Sequence, residues 1–266
     1  PKTKPKACNY ALRYCKGDYI TIYDAEDVPD KEQLKKALRV FEDNPEINCI
    51  QARLNYYNKN ENLLTRLFSI EYSCWFDYML LGLRRLGLVI PLGGTSNHFR
   101  IESLRSILAW DPYNVTEDAE LGVRIYMNSN EIYILDSLTE EEATVTLKDW
   151  FNQRKRWVKG YIMTFLVNMR KPISTYQKLG LKRFLGFLFF VAAPALIFLS
   201  VPLLVGLVMI NLMFGMPVPD LVNDFAMFNL FVSLAFHWLI AMIIVLRLKG
   251  LNDFKSVIVF PFYWVL

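Results

Sequence analysis

Between Arg183 and Asp220 lie 36 consecutive residues without an Asp, Glu, Lys or Arg, most of them Phe, Leu, Val, Ala and Ile. A helix needs only about 20 apolar residues to cross a bilayer. A soluble core helix has no reason to be apolar on every face for so long. Pro194 and Pro202 interrupt the run, and membrane helices tolerate proline when neighbours satisfy the freed backbone groups. A second apolar run, Phe225 to Leu246, is broken only by Asn229, Ser233 and His237, and a third begins at Val257 and runs to Leu266. His237 has no ionisable partner in its span, so a helix–helix hydrogen bond is expected of it.

The flanks give an orientation. Lys171, Lys178, Lys182 and Arg183 precede the first span, and Arg247 and Lys249 follow the second. The intervening loop, Gly215 to Asp224, holds Asp220 and Asp224 but no Lys or Arg. The positive-inside rule then places Pro1 to Arg183 in the cytoplasm and that loop outside. A buried helical hairpin of a large soluble protein is the alternative, and it leaves the charge asymmetry unexplained. The expected organisation is a soluble unit over 1–145, interfacial helices over 146–183 and membrane helices over 184–266. The non-Met start suggests a chain that begins inside a longer protein.

Composition excludes other classes. Charged residues make up 21% of the chain and hydrophobic ones 53%, which is not the signature of a disordered chain. A net charge of +4 does not suggest a nucleic-acid binder. Cys8, Cys15, Cys49 and Cys74 form no C-x-x-C pair, so neither a disulfide framework nor a zinc site is expected.

The first 145 residues read as alternating helix and strand. Lys6–Lys16 places Ala7, Ala11, Leu12 and Cys15 on one helical face and ends at Gly17. Tyr19–Tyr23 is β-branched and aromatic, hence a strand. Asp30 has Gln33 at the capping-box position of a helix with the stripe Leu34, Ala37, Leu38 and Phe41. A strand follows over Ile47–Ala52. This order predicts an α/β fold with a mainly parallel sheet, whose ligands bind beyond the strand ends. The aromatic stretch Arg66–Leu88 fits two placements equally well, on the membrane surface or packed against the sheet.

Four groups carry chemistry. Asp24, Glu26 and Asp27 follow a strand, and carboxylates so close repel unless a cation or donor neutralises them. Mg²⁺ or Mn²⁺ bridging phosphates would do so, and a solvated acidic turn is the structural alternative. Gly93-Gly94-Thr95-Ser96-Asn97 is a polar turn that lets backbone approach a ligand. It lacks the lysine of a P-loop, and the following His98 reads as structural. Thr116-Glu117-Asp118 opens a helix, with Thr116 as cap and either the helix dipole or a general base as the reason for its acids. Gln153, Arg156 and Trp157 share a helical face with Trp150. That face suits a phosphorylated sugar, and the structural alternative is a basic juxtamembrane helix on anionic lipid with Trp157 as an interfacial anchor.

Taken in order, Lys4-Pro5-Lys6-Ala7-Cys8-Asn9, Asp24-Ala25-Glu26-Asp27, Gly93-Gly94-Thr95-Ser96, Thr116-Glu117-Asp118 and Gln153-x-x-Arg156-Trp157, followed by membrane spans, resemble the processive family-2 glycosyltransferases, the group of cellulose and hyaluronan synthases. The resemblance implies a GT-A (Rossmann-like) catalytic domain on the cytoplasmic face of the plasma membrane. Asp24 and Glu26 would hold Mg²⁺ or Mn²⁺ against the diphosphate of a UDP-sugar of the glucose or N-acetylglucosamine type. Asp118 would be the catalytic base, with Glu117, Gly94 and Thr95 beside the substrate. Gln153, Arg156 and Trp157 would hold the diphosphate and the acceptor end of a β-linked polysaccharide, and Lys4 would line the nucleotide site. An export or accessory subunit would be a further partner. The sequence departs from the family in having D-x-E where D-x-D is expected. The uracil-reading strands, expected before Pro1, and the gating segment are also absent, so the 266 residues alone are expected to be inactive. The alternatives are a non-processive polyprenyl-phosphate glycosyltransferase, or a non-catalytic membrane subunit that binds nucleotide sugar.

Overall fold

The structure is a computed structural model that describes residues 3–215, 220–247 and 254–263. Pro1, the centre of the expected external loop, Lys249 and the chain end at Leu266 lie outside the described residues.

Five strands form one sheet: β1 (Tyr19–Ile22), β2 (Val28–Pro29), β3 (Ile47–Tyr56), β4 (Asn97–Arg100) and β5 (Glu131–Glu141). Their spatial order is β1-β4-β3-β5-β2. The sheet is not mainly parallel. Only β3 and β5 run parallel, while β4 lies antiparallel to both β1 and β3, and β2 antiparallel to β5. The reason is connectivity. The chain leaves β3, passes through a helical excursion, and returns as the short β4 to fill the gap between β1 and β3. That four-residue strand carries no period long enough to announce it.

The excursion is α3 (Leu63–Ser73), a π-helical turn (Cys74–Met79) and α4 (Leu80–Arg85). This is the aromatic stretch left with two placements by sequence. Leu67, Phe68, Ile70, Phe76, Leu80 and Leu83 are all buried, so it packs within the protein. The main apolar core joins Phe76, Leu80 and Leu83 to Leu54 of β3, Phe99 of β4 and Leu121 of α6 (Glu117–Met127).

Two helical expectations shift at their ends. Helix α1 spans Lys4–Leu12, with Pro5 in its first turn, and stops well before Gly17. Of its expected face only Leu12 is fully buried; Ala7 and Ala11 are exposed. Helix α2 (Gln33–Asp43) has no capping box. Gln33 is instead fully buried, where it accepts from Tyr23 Oη at 2.8 Å and donates to Thr139 Oγ1 at 3.0 Å. A buried amide must be paired, and the β5 hydroxyls offered better partners than the helix end. Ala37 and Phe41 are buried as expected, but Leu34 and Leu38 face out.

The chain continues through α5 (Ile101–Ser106), α7 (Leu147–Asn168), α8 (Pro172–Phe187), a second π-helical turn (Leu188–Ala192), α9 (Ala193–Phe214), α10 (Asp220–Arg247) and α11 (Phe254–Tyr263). Thr146 caps α7 by accepting from Asp149 N at 3.1 Å. Among the described residues one helix, Asp220–Arg247, is long and apolar enough to cross a membrane by length and composition. His237 in it bonds the Ser233 carbonyl of its own helix at 2.6 Å, and its ring lies 6.2 Å from that of Phe260 on α11.

Candidate active site

Three segments meet at one end of the strands because each adjoins an element anchored in the core: the acidic turn after β1, the glycine turn before β4, and the N-terminus of α6. Lys4 on α1 joins them. Its ammonium pairs with Asp24 and donates to the Gly94 carbonyl at 2.8 Å. Burial alone would lower the Lys4 pKa, but the hydrogen bond and charge of Asp24 outweigh it and raise it, helped by Glu117 and Asp118. Lys4 is therefore a fixed positive charge among carboxylates from two loops.

The acidic turn divides its labour. Asp27 Oδ2 accepts from Asp24 N at 2.7 Å and from the Thr95 hydroxyl, so it braces the acidic turn against the glycine turn. Its other oxygen is buried without a partner. Thr95 is 1% exposed with its hydroxyl engaged in this brace, so it shapes the loop and offers its side chain to nothing outside. Asp24 is half-buried, and Glu26 is exposed.

A fourth carboxylate, which the sequence reading missed, lies close by. Glu141 at the end of β5 is pushed up to about 8 by burial, then by the charges of Asp27, Asp24 and Glu26. Lys4 offsets only part of this negative charge, since it pairs with Asp24 and Glu141 stays raised. Among the described residues no group of three His, Cys, Asp or Glu could hold an ion by itself. Mg²⁺ and Mn²⁺ sites in phosphate enzymes commonly use one or two carboxylates and take their remaining oxygens from substrate and water. The unpartnered Asp27 oxygen and the acids that Lys4 does not pair with fit a site of that kind, completed by a diphosphate.

Asp118 sits at the start of α6 under the glycine turn. A Cβ at Gly94 would stand 3.2 Å from Asp118 Oδ2, so a side chain there would crowd the carboxylate. Asp118 Oδ1 accepts from Ala119 N at 2.7 Å. Burial first, and then the charge of Glu117, push Asp118 up to about 7. A carboxyl held near neutrality can both take and release a proton at physiological pH. Glu117 is also raised, by burial, against the opposing pull of Lys4 and Arg156. Arg156 on α7 is therefore within electrostatic reach of Glu117. Tyr161, one turn further along α7, feels the charge of Asp118.

Thr116 precedes α6, but its side chain makes no cap bond. It is wedged against Gly160 of α7, where a Cβ would meet Thr116 Oγ1 at 2.1 Å. The closeness of α7 to α6 thus depends on a glycine. On α7, Gln153 Oε1 is buried without a partner, an acceptor facing no protein donor. Trp157 is half-buried, 6.0 Å from the ring of Phe68 and 6.4 Å from that of Tyr72. Lys4, Asp24, Gly94, Thr95, Glu117 and Asp118 thus come together, with Arg156 in electrostatic range, while Gln153 and Trp157 lie along α7. His98 is buried, contacts Thr21 at 2.5 Å and is pushed down to about 4 by burial, as a structural histidine would be.

A buried glutamine, also missed, sets the glycine turn. Gln51 of β3 accepts from Gly93 N at 2.7 Å and donates to Thr95 O at 3.1 Å and Ala52 O at 2.8 Å. Gln51→Leu keeps the volume but strips the partners of these backbone groups. The expected cost is about 1–3 kcal/mol per buried group left unpaired. Thermal unfolding reads that loss, and a rise in donor KM reads the loosened turn.

The profile of the family described as glycosyl transferase family group 2 matches residues 19–266. The chain belongs to this family. Among curated relatives of this family member, a probable glycosyltransferase YdaM of Bacillus subtilis is 28% identical over 191 residues, covering 71% of this chain and 44% of that protein. A probable glucomannan 4-beta-mannosyltransferase 4 of Oryza sativa subsp. japonica is 26% identical over 188 residues, covering 68% and 34%. The chain spans less than half the length of these relatives. A solved mannosyltransferase, PcManGT from Pyrobaculum calidifontis in complex with GDP-Man and Mn²⁺, overlaps 94% of this chain and 68% of its own, at 16% identity and a TM-score of 0.46. That overlap is too loose to assign a fold.

Proposed function

We propose that this chain carries the catalytic part of an inverting, membrane-bound glycosyltransferase of the GT-A type, which transfers a hexose from a nucleotide diphosphate sugar to a hydroxyl of a growing β-linked glycan. The observation that carries the reading is Asp118. It is a carboxyl near neutral pKa at a helix N-terminus, under a glycine turn and beside a lysine-bridged acidic turn. The proposed layout is a catalytic unit over 1–145, interfacial helices over 146–183 and membrane helices over 184–266, with the catalytic unit cytoplasmic.

Asp118 takes the proton of the acceptor hydroxyl as that oxygen attacks the anomeric carbon from the face opposite the leaving group. One displacement turns an α-linked donor into a β-linked product. Lys4 and Arg156 set positive charge beside the leaving diphosphate, where it acts without reorganising. Asp24 and Glu26 are the residues that would hold Mg²⁺ or Mn²⁺, which when bound supplies counter-charge to that diphosphate. Gln153 offers its unpartnered oxygen to a substrate donor, and Trp157 offers an indole face to a sugar ring, which keeps the acceptor end in place between cycles.

The donor is proposed as a UDP-sugar of the glucose or N-acetylglucosamine type. The name of the Oryza sativa relative favours a mannosyl donor as the second reading. Membranes containing the full-length protein, offered UDP-glucose, UDP-N-acetylglucosamine and GDP-mannose separately, decide between them. Polymer from one donor supports processive transfer. Label appearing only in a lipid-phosphate product would assign the protein to polyprenyl-phosphate charging instead. Release of no sugar from any donor would make it a binding subunit.

Trp157→Ala removes a stacking surface but neither base nor acid. It is expected to shorten the product while nucleotide affinity stays within about twofold, since the indole is placed against the acceptor sugar and not against the nucleotide. Full-length product from this variant would remove Trp157 from the acceptor site.

A further inference from the structure

Two arginines two residues apart on α7 have opposite fates. Arg156 is exposed and within electrostatic reach of Glu117. Arg154 is largely covered, with 13% of its side chain exposed, and forms a two-pronged pair with Glu71 of α3, whose side chain is 10% exposed. Arg154 Nη1 donates to Glu71 Oε1 at 2.6 Å, Nη2 donates to Oε2, and Nη2 also donates to Tyr263 Oη at 2.8 Å. Tyr263 on α11 in turn donates to Glu71 Oε2 at 2.6 Å and accepts from Trp150 Nε1 at 2.9 Å.

The guanidinium plane is stacked as well as bonded. Its carbon lies 4.8 Å from the Trp157 ring, 4.9 Å from Trp150 and 5.0 Å from Phe68. Trp150 and Trp157 stand at i−4 and i+3 from Arg154, so one helical face holds the cation between two indoles. Arg154 Nε is buried without a partner, so the fork on Glu71, the bond to Tyr263 and the ring contacts fix the plane.

A buried ion pair is a poor device for stability alone. Desolvation consumes most of its attraction, and apolar residues of the same volume often do as well. What it does supply is a fixed orientation. A planar fork bound at both prongs cannot rotate, and an indole stacked on it cannot tilt without losing the contact.

We propose that Arg154 is a positioning residue for Trp157, that Glu71 and Tyr263 hold Arg154 in plane, and that α11 thereby helps set the acceptor side of the site. This rests on the reading of Trp157 as an acceptor contact. Sequence order conceals the arrangement, since Glu71, Arg154 and Tyr263 come from three distant segments.

The test uses the full-length protein in membranes or nanodiscs, with Arg154→Lys and Tyr263→Phe. The first keeps the charge but loses the fork and the plane. The second loses one hydroxyl and is the milder change. Both are expected to raise the acceptor KM by about 5- to 20-fold, the range of one lost stacking or hydrogen-bond contact. Donor KM and donor hydrolysis should stay within about twofold of the parent. Parallel loss of donor and acceptor parameters, or an acceptor KM unchanged in both variants, would overturn the proposal. A second readout needs no activity. The emission of Trp157, isolated as the difference from Trp157→Phe in each background, should shift when Arg154 becomes Lys. If the parent transfers no sugar from any donor, the functional reading fails, and this emission arm still decides: a shift supports the positioning role, and an unchanged spectrum overturns it.

Discussion

Asp118→Asn is expected to lower the rate of sugar transfer by about 10²–10⁴-fold, the usual contribution of a general base, while making the protein harder to unfold at pH 8. The two effects have one origin. The Asp118 carboxyl is pushed from 3.8 up to about 7, by burial first and by Glu117 second. A carboxyl raised in the folded state favours its neutral form. Its contribution to stability is fully present below about pH 4, where both states are protonated, and is lost as pH rises through 7. At pH 8 the folded protein therefore carries a penalty on the order of 2–4 kcal/mol that an uncharged Asn does not. Thermal unfolding of the two proteins at pH 5 and pH 8 measures it: the gap in favour of the Asp118→Asn protein should widen with pH. The rate has the opposite sign. The base must be ionised, so kcat/KM of the parent should fall about tenfold per unit below pH 7. Nucleotide affinity should survive in Asp118→Asn, because Asp24, Glu26 and Lys4 are untouched.

Gly160→Ala should damage both fold and activity, although Gly160 is not one of the reacting groups. The added methyl would lie 2.1 Å from Thr116 Oγ1 and 2.4 Å from Thr116 Cγ2. Both distances are far inside van der Waals contact, so α7 and the start of α6 must part. Overpacking of this kind costs about 1–3 kcal/mol. The strain falls two residues from Asp118, on the element that aims it. A displacement of about 1 Å of a positioned group can cost on the order of 10²-fold in rate. Thr116→Gly in the same chain removes all three atoms nearest the new methyl, so the double variant should recover part of the stability. A Gly160→Ala protein with parental unfolding temperature and turnover would show that α6 and α7 are not packed this way.

The parts of the candidate site that sequence points to are those whose chemistry is local. Asp24 and Glu26 follow a strand directly, Asp118 opens a helix, and Gln153, Arg156 and Trp157 sit within five positions. What remained hidden depended on pairings between distant segments. The four residues of β4 gave no period, so the antiparallel strand between β1 and β3 was missed and a parallel sheet expected. Gln33 fits a capping box by spacing, but a buried hydroxyl 106 residues away competed for its amide and won. Helical spacing places Gln153, Arg156 and Trp157 on one face of α7 and leaves Arg154 unassigned. It could not show which face was covered, because that depends on Glu71, 83 residues earlier. Glu141 stands in a run of three glutamates, and only the strand register reveals which of them turns toward Asp24 and Asp27.

The central claim is that Asp118 drives a single displacement at an anomeric carbon. The most direct measurement is the configuration of the product formed by the full-length protein in membranes from an α-linked nucleotide sugar, read from the anomeric proton coupling of the newly added residue. The account predicts a β linkage that disappears in Asp118→Asn. An α linkage, or a β product formed at the parental rate by Asp118→Asn, would contradict it.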